Sequence, residues 1–112
     1  MISIIVPVFN EQASLGRFIS YIKRNISKTK AELIFIDGGS SDNTIQICNE
    51  MGAKVFKSPK KGRASQMNFG ASKASGNILY FLHVDSLPPL GFVVDIYKNI
   101  EKGYSAGAID CL

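Results

Sequence analysis

Short apolar runs alternate along this chain with segments whose apolar residues recur at the three- to four-residue spacing of a helix. Several runs are apolar at almost every position, which is typical of strands buried on both faces of a sheet. We therefore predict strands at residues 2–9, 32–36, 53–57, 77–84 and 105–112.

A helix is predicted after each of the first four strands. Asn10 and Asp42 precede the first two helical patterns and are the expected N-caps. Gly52 and Gly103 follow helical patterns at positions where glycine commonly ends a helix. The third helix, at 63–75, has small residues on one face, so it is expected to pack closely against the sheet.

This alternation predicts an α/β fold with a three-layer, doubly wound and mostly parallel sheet, Rossmann-like in its organisation. One domain is expected to span residues 1–112, because no linker, repeat or low-complexity tract interrupts the pattern. Ligands bind such sheets at the carboxyl ends of the strands, where the strand order reverses. At those ends this chain carries four unusual loops: PVFNE, DGGSSD, SPKKGR and HVDSLPP.

The composition narrows the choice of partner and location only slightly. Of the 112 residues 46% are apolar, enough for one packed core, and the net charge of +4 fits an anionic ligand without indicating nucleic acid. No segment resembles a signal peptide or a membrane span, so the cytoplasm is the default expectation. No pairing of Cys48 with Cys111 can be inferred and no C-x-x-C is present, and the expectation is two reduced, partly buried thiols.

Three common motifs of α/β proteins are absent from the sequence. The loop after the first strand lacks the glycines of the dinucleotide motif G-x-G-x-x-G, and no G-x-x-x-x-G-K-[ST] loop occurs. The acidic pair that a response-regulator receiver needs after its first strand is also missing. These absences argue against three frequent classes of phosphate-binding domain.

Acidic residues and glycines form the loop after the second strand. Asp37 could accept hydrogen bonds from a nucleobase or a ribose, or it could cap its own turn, which loop statistics favour. Gly38 and Gly39 either supply positive φ or let a ligand approach the backbone. Asp42 is interpreted as an N-cap more readily than as a ligand.

A basic loop precedes the third helix. Lys60, Lys61 and Arg63 surround Gly62, and cations beside a helix N-terminus form an anion site. A solvated basic loop would have the same composition, and the local pattern does not separate the two interpretations.

The segment HVDS follows the most apolar strand. His83 and Asp85 stand two residues apart, so an extended backbone would point both side chains to the same side. Asp is a good ligand for Mg²⁺ or Mn²⁺, and His suits Mn²⁺ better than Mg²⁺. A bound metal would bridge the phosphates of a diphosphate and help it to leave. Alternatively Asp85 caps a turn while His83 bonds to backbone, which is the favoured interpretation of an isolated H-x-D.

Taken together, four segments resemble the family 2 glycosyltransferases, nucleotide-sugar enzymes of the GT-A fold. The matching segments are IIVPVFNE, IDGGSSDNT, KGRASQMNFGASKASGNILYFLHVDS and AGAID, which extend from residue 2 to about 110. Each segment is weak alone, but four in order at the right spacing are specific. The run GRASQMNFGA followed by HVDS is similar to a bacterial subgroup whose metal motif begins with His.

The resemblance implies a nucleoside pocket lined by Pro7, Phe9 and Glu11, with Phe9 placed to pack against the base. Asp37 would hydrogen-bond that base, which is most often uracil in this family, so a UDP-sugar is the expected donor. Arg63 would reach the base or the diphosphate.

The same resemblance extends the site to the third helix and the fourth strand. Asn68 would face the same cleft, and Gly39 and Lys61 are assigned to the nucleotide-sugar site with it. Asp85 would be the metal ligand, with Mg²⁺ or Mn²⁺ as the cofactor. His83 takes the place of the first Asp of the family's D-x-D motif.

The expected activity is metal-assisted transfer of a sugar from a nucleoside diphosphate to an unknown hydroxyl acceptor. Family members are typically longer, and their second half supplies the acceptor site and the general base. This chain is therefore expected to be the donor-binding part, truncated before that half, with Asp110 as a weak stand-in for the base. The alternative is a catalytically incomplete nucleotide-binding module.

Two associations are also compatible with the sequence. An incomplete sheet edge at 105–112 would favour pairing with another copy of the chain. The basic surface is compatible with peripheral association at the inner face of a membrane, although the sequence gives no positive sign of it.

Overall fold

The computed structural model describes residues 1–27, 29–101 and 108–111, with the backbone alone at 101 and 108–111. Within this part of the chain the strands form a single sheet, in which every neighbouring pair is parallel. The predicted α/β class and parallel sheet are therefore confirmed. The strands are β1 (Ile2–Val8), β2 (Ala31–Asp37), β3 (Lys54–Lys57), β4 (Ile78–Leu82) and β5 (Ala108–Cys111), arranged in the order β3-β2-β1-β4-β5.

Helices cover both faces of the sheet and so complete the three predicted layers. They are α1 (Gln12–Ile26), α2 (Thr44–Glu50), α3 (Arg63–Lys73) and α4 (Phe92–Glu101). The helices α1, α2 and α4 pack on one face around the larger apolar cluster, while α3 covers the other face. None of the helices that the structure describes combines the length and the apolar character needed to cross a bilayer.

Strand β1 is the centre of the core, because all seven of its residues are buried. Its side chains alternate between the faces, so Ile4 and Val6 join the cluster of α1 while Ile5 joins the cluster of α3. Burial on both faces explains why this segment is apolar at nearly every position. Cys48 of α2 is buried in the same core, and burial raises the pKa of its thiol to about 11.

The strand order reverses between β1 and β4. The chain moves outward from β1 to β2 and β3, and α3 then carries it back across the sheet to β4. Gly70 lets α3 lie close to the sheet, since a Cβ there would be only 2.4 Å from Cγ2 of Ile5. The carboxyl ends of β1 and β4 therefore frame the place where this class of sheet binds ligands.

Two predicted helix caps differ from the structure. Glu11 rather than Asn10 occupies the N-cap position of α1, and Asn10 has a positive φ of 51°. Asn43 rather than Asp42 occupies the cap position of α2, although the first backbone nitrogen of that helix still donates a hydrogen bond to Asp42. The predicted helix end at Gly103 lies outside the described residues.

Candidate functional site

A cleft of about 160 Å³ opens at the carboxyl ends of β1 and β4. Its walls come from the end of β1 and the loop that follows, from the start of α3, and from the segment after β4. It is called the central cleft here, and it is lined by Pro7, Val8, Phe9, Glu11, Arg63, Gln66 and His83. The structure thus brings together five of the residues predicted for the site: Pro7, Phe9, Glu11, Arg63 and His83.

Phe9 and Glu11 give the central cleft an aromatic ring and a carboxyl group. Phe9 is 54% exposed, so its ring is available to a planar ligand. Burial raises the pKa of the Glu11 carboxyl above its ordinary value, and the charge of Asp85 raises it further, while His83 and Arg63 act in the opposite direction. Asp85 therefore lies within electrostatic range of the central cleft.

Reciprocal hydrogen bonds join the loop after β1 to the loop after β2. The backbone nitrogen of Asn10 donates to Oγ of Ser40 at 2.8 Å, and the backbone nitrogen of Ser41 donates to Oδ1 of Asn10 at 2.8 Å. The backbone nitrogen of Glu11 also donates to Oγ1 of Thr44, at 2.9 Å. These bonds hold the Glu11 segment at the cleft and offset the cost of positive φ at Asn10.

Asp37 is buried at the end of β2, with 1% of its surface exposed. Its Oδ2 accepts hydrogen bonds from the backbone nitrogens of Gly39 and Ser40, both at 2.9 Å, and its Oδ1 accepts one from Oγ of Ser40. These contacts match the loop-capping interpretation of Asp37, and its contact with a base stays a prediction. Gly39 has a φ of 107°, a conformation that favours glycine.

A second hollow, of about 320 Å³, lies between the loops after β2 and β3. Its lining includes Gly39 and three lysines: Lys57, Lys60 and Lys61. The three cations predicted to form one anion site are therefore divided, because Arg63 lines the central cleft while Lys60 and Lys61 line this hollow.

His83 and Asp85 lie in a turn, because β4 ends at Leu82 rather than continuing to residue 84 as predicted. The backbone nitrogen of Asp85 donates to Nδ1 of His83 at 3.3 Å, and Oδ2 of Asp85 lies 3.5 Å from the same nitrogen. His83 lines the central cleft, whereas Asp85 lines a third hollow of about 200 Å³ beside α1. The extended backbone assumed for a common side was wrong, but the two side chains contact each other, His83 at the central cleft and Asp85 at the third hollow.

The start of α3 places Gln66, which the sequence pattern did not single out, in the cleft and Asn68 outside it. Residues three or four apart share a helix face, so Gln66 joins Arg63, while Asn68 is five residues from Arg63 and is rotated away. Asn68 is exposed and lines another depression with Phe69 and Ser72. The prediction that Asn68 faces the cleft is therefore wrong, and counting helical positions from Arg63 would have identified Gln66.

Three further residues concern the site: Asp110, which was predicted, and Ser14 and Arg17, which were not. Asp110 pairs with Phe81 in the register of β5 and β4, and its side chain lies outside the described part of the chain. Ser14 and Arg17 of α1 line the third hollow with Asp85, and no periodicity or motif in the sequence marks them as site residues.

The resemblance implies a divalent metal, and Asp85 provides a carboxylate that suits it. The side chain of Asp85 is 70% exposed beside His83, and its charge affects Glu11. Among the described residues, no group of three or more His, Cys, Asp and Glu side chains could hold a metal alone. Mg²⁺ is commonly bound through one or two carboxylates together with substrate phosphates, so Asp85 suits a metal that arrives with a diphosphate.

Comparison with known sequences gives a consistent family. The model described as Glycosyl transferase family 2 matches residues 3–112. An "Uncharacterized glycosyltransferase" of Haemophilus influenzae is 38% identical in a 91-residue alignment that covers 76% of this chain but only 36% of that protein's length. Protein RfbJ of Shigella flexneri is 32% identical over 110 residues, which are 98% of this chain and 84% of that protein.

A solved structure shows the same architecture. It is glucosyl-3-phosphoglycerate synthase from Mycobacterium tuberculosis in complex with Mn²⁺, uridine diphosphate and glucosyl-3-phosphoglycerate. The match has a TM-score of 0.72 and 26% identity, and it covers 85% of this chain and 37% of the synthase chain. Since the family model covers almost the whole sequence, this chain belongs to glycosyl transferase family 2.

Proposed function

We propose that this chain binds a nucleoside diphosphate sugar in the central cleft, with a UDP-sugar as the favoured donor, and serves transfer of the sugar to a hydroxyl acceptor. The observation that carries the proposal is the convergence of Glu11, Arg63 and His83 on one cleft, with Asp85 in contact with His83. These groups stand where the strand order reverses. The related synthase, whose structure contains UDP and Mn²⁺, supports the same donor chemistry.

The cleft offers a separate group to each part of such a donor. The exposed ring of Phe9 would pack against the nucleobase, because an aromatic face and a base stack favourably. Arg63 is the first residue of α3 and would bind the diphosphate through charge-assisted hydrogen bonds. The base would lie toward the end of β1, and the diphosphate would extend toward His83 beyond β4.

A divalent metal bound with the donor supplies charge neutralisation to the diphosphate leaving group. Asp85 would be its protein ligand, and His83, in the first position of the H-x-D pattern, would contact the donor from the cleft side. Glu11 would lie close enough for the charge of that cation to affect it, because the charge of Asp85 already raises the pKa of Glu11.

The role assigned to this chain is donor binding. An inverting transfer needs a base on the face of the sugar opposite the diphosphate. The chain spans 36% of the length of the Haemophilus relative, which supports a donor-binding part within a longer transferase. We assign the acceptor contacts and the base to none of the described residues.

Calorimetric titration of the chain with UDP in the presence of Mn²⁺ tests the proposal. Arg63→Gln is expected to weaken UDP binding by about tenfold or more, because charge-assisted hydrogen bonds to the diphosphate are lost. Arg24→Gln is the matched control, because Arg24 lies exposed in the last turn of α1, at the opposite end of the helix from the cleft. Equal weakening by both variants would contradict a specific diphosphate site at Arg63.

Turnover separates a transferase from a nucleotide-binding module. Release of free sugar from UDP-glucose by the chain in the presence of Mn²⁺ would indicate that the described groups activate the donor. Binding of UDP without any such release would favour the module and restrict the proposal to donor recognition.

A further inference from the structure

The residues between β4 and α4, numbered 83–91 and called the Asp85 loop here, lie along one face of α1. The third hollow lies between the start of this loop and the first turns of α1, and it is lined by Ser14, Arg17, Phe18, Val84, Asp85 and Leu87. Further along, the loop is hydrogen-bonded to Tyr21 and Asn25. Positions 14, 17, 18, 21 and 25 fall on one helix face, so α1 supports the loop at several points along its length.

Tyr21 holds the middle of the Asp85 loop. Its phenol oxygen donates a hydrogen bond to the backbone oxygen of Pro88 at 2.6 Å, and Pro88 is buried. Pro88 and Pro89 have no backbone N–H, so the backbone of this part of the loop can only accept hydrogen bonds. A side-chain donor from a neighbouring element is therefore the kind of group that fixes it, and Tyr21 supplies one.

Asn25 holds the end of the loop, one helical turn beyond Tyr21. Its Nδ2 donates to the backbone oxygen of Tyr21 at 2.8 Å, and its Oδ1 accepts a hydrogen bond from the backbone nitrogen of Gly91 at 3.1 Å. Gly91 has a φ of 74°, and α4 begins at the next residue. The bond from Gly91 to Asn25 thus fixes the point at which the loop enters α4.

The carboxylate of Asp85 depends on the backbone of this loop for its position. Its side chain is 70% exposed, and its contact with His83 lies within the loop itself. Val84 is buried in the core on one side of Asp85, and Pro88 is bonded to Tyr21 on the other. Loss of the Tyr21 bond would therefore release the loop on the side that follows Asp85.

We propose that Tyr21 and Asn25 are positioning residues that hold Asp85 in the orientation needed to bind the divalent cation of a metal–nucleoside diphosphate complex. Neither side chain lines the central cleft or the third hollow, so each acts through the backbone of the Asp85 loop. A loop held in its binding orientation pays less to be ordered when the ligand arrives. A mobile loop binds with an affinity reduced by the fraction of time that it spends in that orientation. This inference rests on the proposed function, which assigns Asp85 to the metal.

The test is the calorimetric affinity of the intact chain for UDP with and without Mn²⁺, compared between the parent and Tyr21→Phe. The ratio of the two affinities, called the Mn²⁺ enhancement here, is expected to fall by about threefold to tenfold, the effect of one lost hydrogen bond. The affinity for UDP without Mn²⁺ should equal that of the parent, because Phe9 and Arg63 lie outside the Asp85 loop. A purely structural role of Tyr21 would not separate the two affinities in this way.

Tyr97→Phe is the matched control. The phenol oxygen of Tyr97 also donates to a backbone oxygen, that of Lys30 at 2.8 Å, which precedes β2 at the opposite end of the sheet from the cleft. This variant loses the same kind of bond and should keep the full Mn²⁺ enhancement. Asn25→Ala removes the other anchor and should lower the enhancement, which keeps the test decisive if Tyr21→Phe does not fold.

Hydrogen exchange adds a readout that requires neither metal nor nucleotide. The backbone nitrogen of Ser86 donates to the oxygen of His83 at 3.0 Å, within the turn that contains Asp85. Its amide hydrogen should exchange at least about threefold faster in Tyr21→Phe than in the parent or in Tyr97→Phe, because the turn opens more often once it is released. The same exchange rate in all three proteins would overturn the positioning role.

The outcomes separate this inference from the proposal on which it rests. If the parent binds no UDP, or binds it without any Mn²⁺ enhancement, the proposed metal-dependent site fails and this inference fails with it. If the parent shows the enhancement and both Tyr21→Phe and Asn25→Ala retain it, the proposed function stands and the positioning role alone is overturned. An equal loss of enhancement in Tyr97→Phe would overturn it as well.

Discussion

The side-chain amide of Gln66 lies against the α-carbon of Gly38, so closely that a Cβ at Gly38 would be 2.9 Å from Cδ of Gln66. A methyl group there would have to displace an amide that is bonded to two strands. We expect Gly38→Ala to destabilise the fold by roughly 1–3 kcal/mol, the usual cost of overpacking a filled site. Urea denaturation would measure the change.

Gly16→Ala serves as the control for that substitution. Gly16 is inside α1, where an added Cβ would meet nothing closer than Sδ of Met51 at 4.0 Å. Alanine is the better helix former, so this variant should be as stable as the parent or more stable, by up to about 1 kcal/mol. Equal effects of the two substitutions would show that Gly38 is not constrained by Gln66.

Glu11, which lines the central cleft, should make the free energy of unfolding depend on pH. Burial and the charge of Asp85 raise its pKa in the folded state above the ordinary value of 4.5. A raised pKa favours the protonated folded form, so the contribution of Glu11 to stability is present below pH 4.5 and is lost as the pH rises through the folded-state pKa. Glu11→Gln should therefore be more stable than the parent at pH 7, and the difference should disappear near pH 4.

A double-variant comparison identifies the source of that effect. If the charge of Asp85 contributes, the gain from Glu11→Gln at pH 7 should be smaller when Asp85→Asn is also present. An unchanged gain would leave burial and the charge of Asp42 as the causes and would contradict an electrostatic effect of Asp85 on Glu11.

Glu32 should have the opposite pH dependence at the other end of the sheet. Burial alone would raise its pKa, but hydrogen bonds from Oγ of Ser3, the backbone nitrogen of Ser75 and Nζ of Lys54 outweigh it and lower the pKa. The stability from this group is present above pH 4.5 and is lost as the pH falls through the lowered pKa. Glu32→Gln should cost on the order of 1–3 kcal/mol at pH 7, and the difference should narrow below pH 4.

Lys54 provides the control for the Glu32 prediction. Its side chain is 61% exposed although it lies 3.3 Å from Glu32, and exposed ion pairs contribute little. Lys54→Met should therefore change stability by only about 0.5 kcal/mol. A large loss in Lys54→Met would mean that the ion pair, rather than the bonds from Ser3 and Ser75, stabilises this end of the sheet.

The fold followed from the sequence because periodicity reports burial directly. β1 is apolar on both faces since helices cover both faces, and Gly52, with a φ of 71°, follows the end of α2 as expected. The caps were less predictable, because the side chains of Asn10 and Asp42 each accept a hydrogen bond from a backbone nitrogen of the neighbouring segment. Such a contact depends on how two loops meet, which local spacing does not contain.

The sequence predicted which segments meet at the candidate site better than it predicted what each side chain does there. Arg63 and His83 converge because their segments end at the same rim of the sheet. The prediction for Asn68 was wrong because a helix rotates about 100° per residue, which turns Asn68 away from Arg63. The contacts of Gln66 could not be predicted, because they depend on the ends of β1 and β2 lying side by side. Cytoplasmic residence, membrane contact and self-association stay predictions, since no contact among the described residues bears on them.

The central claim is that a divalent cation links Asp85 to a nucleoside diphosphate in the central cleft. The direct measurement is the calorimetric affinity for UDP with and without Mn²⁺ in Asp85→Asn and in the matched Asp95→Asn, whose side chain is exposed on α4. We expect Mn²⁺ to strengthen UDP binding by at least about tenfold in the parent and in Asp95→Asn, and to have little effect in Asp85→Asn. The same Mn²⁺ enhancement in Asp85→Asn as in the parent would contradict the account.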